Sequence, residues 1–196
     1  MLYEIFDNMQ LCSEAEVLRM LPLVSDQRRE QALRFKHIHG QFCCLKSYLM
    51  LMELLGALYP ELDYTQPEFG YTEDGKPFLP SRPDIHFSIS HTKNAILVAL
   101  SCSPVGADIE QIRHPSEALL GKTMNETEQQ QIWQAADSDA EFTALWTRKE
   151  AVLKLRGTGI QGELREVLST GETVHTKALS RKGYVYSIAQ NRPFSL

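Results

Sequence analysis

The chain has 196 residues, 43% of them hydrophobic, enough to bury one core or two small cores packed together without a staple. Its net charge of -5 and pI near 5.7 argue against a nucleic-acid surface as its main business. One local basic run stands out: Arg28, Arg29, Arg34, Lys36 and Lys46, with His37 and His39, against the single acid Glu30, a segment suited to a polyanion.

The four cysteines, Cys12, Cys43, Cys44 and Cys102, show no CxxC spacing, and adjacent Cys43 and Cys44 do not readily bridge each other. They read as reduced and structural. The first ten residues, MLYEIFDNMQ, lack the basic start and apolar run of an export signal, so a cytoplasmic location is expected. The most apolar stretch, Tyr48 to Tyr59, is interrupted by Glu53 and Gly56 and falls short of the ~20 residues of a membrane span. It reads as a core helix, and no membrane association is expected.

In chain order, Leu2 to Phe6 reads as a strand. Ser13 with Glu16 forms a capping-box signature for a short helix that stops before Pro22, and a second helix begins near Ser25. From about His39 to Leu58, Phe42, Leu45, Leu49, Met52 and Leu55 recur at helical spacing, marking a long helix with one buried face. Phe69 to Thr72 reads as a brief strand, and Asp74-Gly75 before Lys76-Pro77 as a tight turn. Ile85 to Ser90 and Ala95 to Leu100 read as a hairpin turning at Lys93-Asn94. Val105 to Glu110 follows as a further strand of the same small antiparallel sheet. Helices return after His114, one capped by Asn125 and Glu128, the next by Ser138 and Glu141 and running to about Leu155, where Gly157 and Gly159 stop it. Glu172 to Ala178 and Tyr184 to Ala189 read as closing strands. The order of elements predicts an α/β (α+β) fold of two similar subdomains, residues 1–103 and 104–196, each a small, mainly antiparallel sheet packed with helices.

Three groups of residues carry chemistry. Asp108 and Glu110 are two apart on a strand and share a face, which suits a hard cation such as magnesium, although an isolated acid pair is more often a solvated strand edge. Trp146, Glu150 and Lys154 fall at four-residue intervals on one helix face. The plainer reading is a surface Glu-to-Lys pair beside a core tryptophan. The aromatic on the same stripe draws that face inward, where an unused carboxylate and ammonium are costly to desolvate. Finally, Ser90 and His91 end a strand and could donate to a phosphate, with Lys76 supplied by the preceding turn. No GxSxG elbow is present, so the serine and histidine do not read as a hydrolase dyad.

Taken together, Gly75-Lys76-Pro77, HFSISH from His86 to His91, VGADIE from Val105 to Glu110 and WTRKEAVLK from Trp146 to Lys154 closely resemble the ordered signatures of the 4'-phosphopantetheinyl transferases. The resemblance is to the monomeric class that activates peptide and polyketide synthases, a pseudo-dimer of two alike halves related by a pseudo-two-fold axis. GTGI at Gly157 to Ile160 also looks like the family pattern. The resemblance implies transfer of the 4'-phosphopantetheine arm of coenzyme A to a serine of an acyl or peptidyl carrier protein, with adenosine 3',5'-bisphosphate as the other product.

It also implies roles. Asp108, Glu110 and Glu150 look like ligands of Mg2+, with Glu150 also the candidate base. Lys154 would neutralise the phosphate as the bond breaks. His91 and Ser90 resemble the family residues that hold the nucleotide's phosphates, Lys76 and Pro77 those lining the nucleotide pocket, and Arg28 a basic residue near the ribose phosphate. The sequence departs from the family at Gln31, where a lysine is common, at Cys43 and Cys44, and at Lys122-Thr123-Met124, where paired aromatics are usual. A noncatalytic carrier-binding or coenzyme A-binding protein on the same fold is the alternative; a magnesium phosphohydrolase or nuclease would need a further acid cluster or water-activating group.

Overall fold

Ser13 and Ser25 each start a helix by accepting a backbone N–H three residues on, at 3.3 Å in both cases. The structure, a computed structural model, describes residues 1–61, 67–159, 164–169 and 171–191. Strand β1 (Leu2–Phe6) is followed by α1 (Glu14–Met20), α2 (Asp26–Leu33) and the long α3 (Ile38–Leu58). Phe42, Leu45 and Leu55 are buried as the spacing predicts, but Leu49 and Met52 are only half-buried, while Cys44, Tyr48 and Leu51 complete the inward arc. The arc is displaced because α3 packs on α1 and α2 as well as on a sheet. By length and composition α3 could cross a membrane, contrary to the sequence reading. Yet 56% of its most apolar window is buried in the protein, as in a core helix.

A short hairpin, β2 (Gly70–Tyr71) and β3 (Pro77–Phe78), turns at Gly75, whose φ of +81° is a conformation that glycine adopts at little cost. Then come β4 (His86–His91), β5 (Ile96–Ser101) and β6 (Val105–Gln111). The chain continues through α4 (Glu117–Thr123), α5 (Glu126–Gln134), α6 (Ser138–Arg156), β7 (Thr173–Leu179) and β8 (Tyr184–Gln190). The sequence reading missed α4, which Ser116 caps by accepting the N–H of Leu119. It also placed the cap of α6 one residue late, since Asp137 accepts the N–H of Ala140. The Asn125–Glu128 capping box is formed in both directions. Gly157, at φ +73°, ends α6 as expected; Ile160 of the same GTGI stretch lies outside the described residues.

The strands form two three-stranded antiparallel sheets, β1-β5-β4 and β6-β8-β7. This corrects the expectation that β6 continues the β4–β5 sheet. β6 ladders with β8 instead, with Asp108 opposite Ser187, and meets β4 through a side chain. Ser88 Oγ accepts the N–H of Ala107 at 2.9 Å and lies 3.4 Å from its carbonyl, so a hydroxyl takes the place of a backbone rung.

Four layers result. One face of β5, with Ile96, Val98 and Leu100, packs on α3; the other, with Ala95, Leu97 and Ala99 at its edge, packs on Val105, Ala107, Ile109, Tyr186 and Ile188 of the second sheet. The outer face of that second sheet lies under α6. The close approach is enforced at Gly106, where a Cβ would sit 2.0 Å from the carbonyl oxygen of Ala151. The fold is α+β, two small antiparallel sheets packed with helices. All four cysteines are free thiols.

Candidate active site

The period of β6 puts Gly106, Asp108 and Glu110 on one face, and Gly106 shows that this face meets α6. The stripe of α6 carrying Trp146, Glu150 and Lys154 therefore lies over the two acids. Lys154 Nζ donates to Asp108 Oδ1 at 2.6 Å. From β4, in the other sheet, Ser90 Oγ donates to the same oxygen at 2.8 Å. Asp108 is 3% exposed, and its second oxygen, Oδ2, is buried with no hydrogen-bond partner among the described residues.

Burial raises the pKa of Glu110, and repulsion from Asp108 adds to it; Trp146, Arg113 and Lys154 partly offset these effects. The Trp146 indole N–H is buried near Glu110 but, among the described residues, is in hydrogen-bond geometry with no acceptor. Glu150 is pushed up to about 7, first by burial and then by Asp108 and Glu110, against the pull of Lys154. Three carboxylates thus crowd one another with a single ammonium, Lys154, hydrogen-bonded among them.

Among the described residues no three His, Cys, Asp or Glu side chains form a ready-made metal cluster. The donor set nevertheless fits a hard divalent cation. It is all oxygen, negatively charged beyond its counter-charge, and includes a buried oxygen that nothing among the described residues satisfies. Magnesium commonly completes its shell with waters and substrate phosphates, so a full protein cage is not required.

Beside this cluster opens a cleft of about 260 Å³ between the Asp74-to-Pro77 turn, Phe87 to Ile89 of β4, and Glu150, Leu153, Lys154 and Gly157 of α6. Lys76, Pro77, Glu150 and Lys154 come together on its walls, as the motifs predict. Lys76 Nζ donates to the carbonyl of Leu155 at 3.1 Å, and burial lowers its pKa.

Three other candidates lie off the walls. Ser90 is buried and its hydroxyl is turned to Asp108, a correction to its reading as a phosphate donor. His91 is at the exposed end of β4, its ring 6.2 Å from that of His39; crowding by neighbouring atoms, His39 and Lys154 lower its pKa. Arg28 lies over the rings of Tyr48 and Phe69, 5.1 Å from each centroid, with no carboxylate partner among the described residues. Of the departures from the family pattern, Cys44 sits beside Arg28, its Sγ 3.8 Å from the guanidinium, while Gln31 Nε2 is 3.5 Å from the Tyr71 hydroxyl.

Sequence reasoning missed one supporting residue. Lys149, wholly buried on the opposite side of α6 from Glu150, donates to Glu128 at 2.7 Å and to the carbonyl of Leu164 at 2.8 Å. The available signal was the adjacency of Lys149 and Glu150, since neighbours on a helix point apart and a charge beside Leu145, Val152 and Leu153 needs a partner.

Known proteins carry the same stretch of chain. A family model described as the 4'-phosphopantetheinyl transferase superfamily matches residues 104–189. The 4'-phosphopantetheinyl transferase Sfp of Bacillus subtilis is 30% identical over 151 residues, 76% of this chain and 66% of that protein. The 4'-phosphopantetheinyl transferase psf-1 of Bacillus pumilus is 30% identical over 147 residues, 74% of this chain and 63% of that protein. The 4'-phosphopantetheinyl transferase AcpT of Salmonella typhimurium is 33% identical over 113 residues, 55% and 57% of the two chains. The chain thus spans about two thirds or less of the length of these relatives. With its four motifs brought to one cleft and these likenesses over most of its length, the chain belongs to the 4'-phosphopantetheinyl transferase superfamily.

Proposed function

We propose that the protein transfers the 4'-phosphopantetheine arm of coenzyme A to a serine of an acyl or peptidyl carrier protein, releasing adenosine 3',5'-bisphosphate. The serine oxygen forms a bond to the phosphorus that bears pantetheine, and the bond from that phosphorus to the bridging pyrophosphate oxygen breaks. The leaving phosphate takes the electron pair. The observation that carries this reading is the convergence of Asp108, Glu150 and Lys154, from two different elements, beside a cleft walled by Lys76 and Pro77.

Asp108, Glu110 and Glu150 would hold Mg2+, which when bound neutralises charge on the pyrophosphate oxygens. Glu150, on the cleft wall, takes the serine proton, directly or through a bound water. Lys154 pairs with the charge that builds as the phosphorus–oxygen bond breaks. Lys76 and Pro77 line the nucleotide's place, His91 meets its phosphates, and Arg28, held over two rings with its charge free of carboxylates among the described residues, lies toward the ribose phosphate.

The change of sheet at Pro104 supports a division into residues 1–103 and 104–196, with the site where Ser90 of one meets Asp108 of the other. Four free thiols support a cytoplasmic location, an acidic net charge speaks against a nucleic-acid surface, and the burial of α3 in the protein against a membrane span; a monomer is proposed with them. Incubation with coenzyme A, Mg2+ and a panel of apo acyl and peptidyl carriers, followed by intact mass, tests the proposal. A Mg2+-dependent mass gain of one phosphopantetheine, absent in Glu150→Gln, is expected. Binding of coenzyme A with every carrier unmodified points instead to a noncatalytic binding protein on the same fold.

A further inference from the structure

Resting on that reading of the cleft, we infer that Lys154 is a resident counter-ion of Asp108, exchanged for the divalent cation when a phosphate oxyanion of coenzyme A draws the ammonium away, so that metal and coenzyme A bind cooperatively. The geometry is specific. The Asp108 side chain is 4% exposed, and Oδ1 accepts from Lys154 Nζ at 2.6 Å and from Ser90 Oγ at 2.8 Å, while Oδ2 has no partner among the described residues. A carboxylate this deeply buried needs a compensating charge, and among the described residues Lys154 is the cation that bonds to it.

A cation arriving at Oδ2 meets that ammonium on the same carboxylate, and like charges in a poorly solvated site repel strongly. The lysine has somewhere to go: its side chain is one-third exposed, at 33%, and it already lines the cleft. A pyrophosphate oxygen in the cleft can accept from Lys154 just as the cation takes its place on Asp108. Ser90 cannot follow. It is buried on β4, and its hydroxyl stays on Oδ1 in both states, which makes it a positioning residue for the ligand carboxylate.

Because coupling between two ligands is reciprocal, coenzyme A must tighten the metal by the factor by which the metal tightens coenzyme A. Mn2+ binding to the protein, followed by the electron paramagnetic resonance of the free ion with and without coenzyme A, reads this directly. In the wild type, coenzyme A is expected to tighten Mn2+ roughly 5- to 150-fold. Lys154→Met is expected to bind Mn2+ alone at least about fivefold more tightly than the wild type and to reduce the coupling by about the same factor, leaving the part that comes from direct attraction between metal and pyrophosphate. Lys154→Gln should move in the same direction, which guards against a folding defect in one variant. Ser90→Ala should weaken Mn2+ in both conditions and keep the ratio.

Lys154 variants that bind Mn2+ no more tightly than the wild type, or that keep the coupling, overturn the exchange while leaving the proposed reaction standing. Wild-type protein that binds no Mn2+ even with coenzyme A overturns the metal reading beneath it, and the exchange with it.

Discussion

The ammonium of Lys76 donates to the main-chain carbonyl of Leu155 at 3.1 Å, tying the turn before β3 to the last turn of α6. Two candidate substrate-binding segments, far apart in sequence, are thereby held as one cleft wall, and a cation sits at the negative end of the helix that carries Glu150 and Lys154. Lys76→Met is therefore expected to lower unfolding free energy by about 0.5–2 kcal/mol and to weaken coenzyme A binding as well. Urea denaturation and titration calorimetry separate the two effects. A variant of unchanged stability would show the capping bond to be idle.

Gly106 sets the distance between β6 and α6. A methyl at that position meets main-chain atoms, the Ala151 oxygen at 2.0 Å and the Leu155 nitrogen at 2.3 Å, which cannot swing aside as a side chain would. Gly106→Ala is expected to cost about 1–3 kcal/mol or more and to abolish transfer, because the acids of β6 move away from Lys154. Thermal melting and the carrier assay check both.

Glu128 and Lys149 form a buried pair beneath the catalytic face. Lys149→Ala leaves the carboxylate of Glu128 buried beside a lost partner, and a loss of about 3–5 kcal/mol is expected in denaturant melts. Arg148, half-buried on the same helix, is a candidate to meet an acidic carrier helix. Arg148→Ala should weaken carrier binding and leave coenzyme A binding unchanged, and equal affinity for the carrier would remove Arg148 from that role.

Asp7 supplies a pH dependence that lies away from the cleft. Its Oδ2 accepts from Lys182 Nζ at 2.5 Å and from the Tyr184 hydroxyl at 2.8 Å, joining the end of β1 to the β7–β8 turn. Those bonds, Lys182 first, hold its pKa below the usual carboxylate value. A depressed carboxyl stabilises the fold above its unfolded pKa, and that contribution is lost as pH falls through the folded pKa. Asp7→Asn is expected to melt below the wild type at pH 7, with the difference closing once the pH is below both values. A series of melts from pH 7 downward measures it; a gap that does not narrow as the pH falls contradicts the assignment.

Glu150 carries the opposite sign. Burial and neighbouring acids raise its pKa to about 7, so in metal-free protein its charging costs stability as pH rises from the unfolded value toward 7 and beyond. Glu150→Gln is expected to be more stable than the wild type at pH 8 without metal, and no more stable at pH 4. Metal-free melts at the two pH values test this, and a variant less stable at pH 8 contradicts it.

The elements of the fold were legible where local chemistry decides them. Ser13, Ser25 and Asn125 announce helix starts, Gly75 and Gly157 mark a turn and a helix end, and the long α3 follows from its apolar spacing. Sheet membership was not legible: the apolar alternation of β6 suits β5 or β8 equally, and its departure from β4 depends on the Ser88 hydroxyl standing in for a rung. The same limit applies to Ser90. Its place at a strand end is readable, but which of two nearby anions it serves, a phosphate or Asp108, depends on the distance between two sheets. Strand and helix periods put Asp108 with Glu110 and Glu150 with Lys154 on one face each, and the resemblance of their motifs to the family singled them out as site residues; Lys149 had neither signal, because its partner Glu128 already had a local role as a cap.

The most direct test of the proposed reaction follows both products in one time course, the mass of an apo carrier and the appearance of adenosine 3',5'-bisphosphate, with Asp108→Asn alongside. The expected result is one nucleotide released for each carrier gaining phosphopantetheine, dependent on Mg2+ and lost in the variant. Release of the nucleotide without modification of the carrier, or modification that Asp108→Asn leaves unchanged, would contradict it.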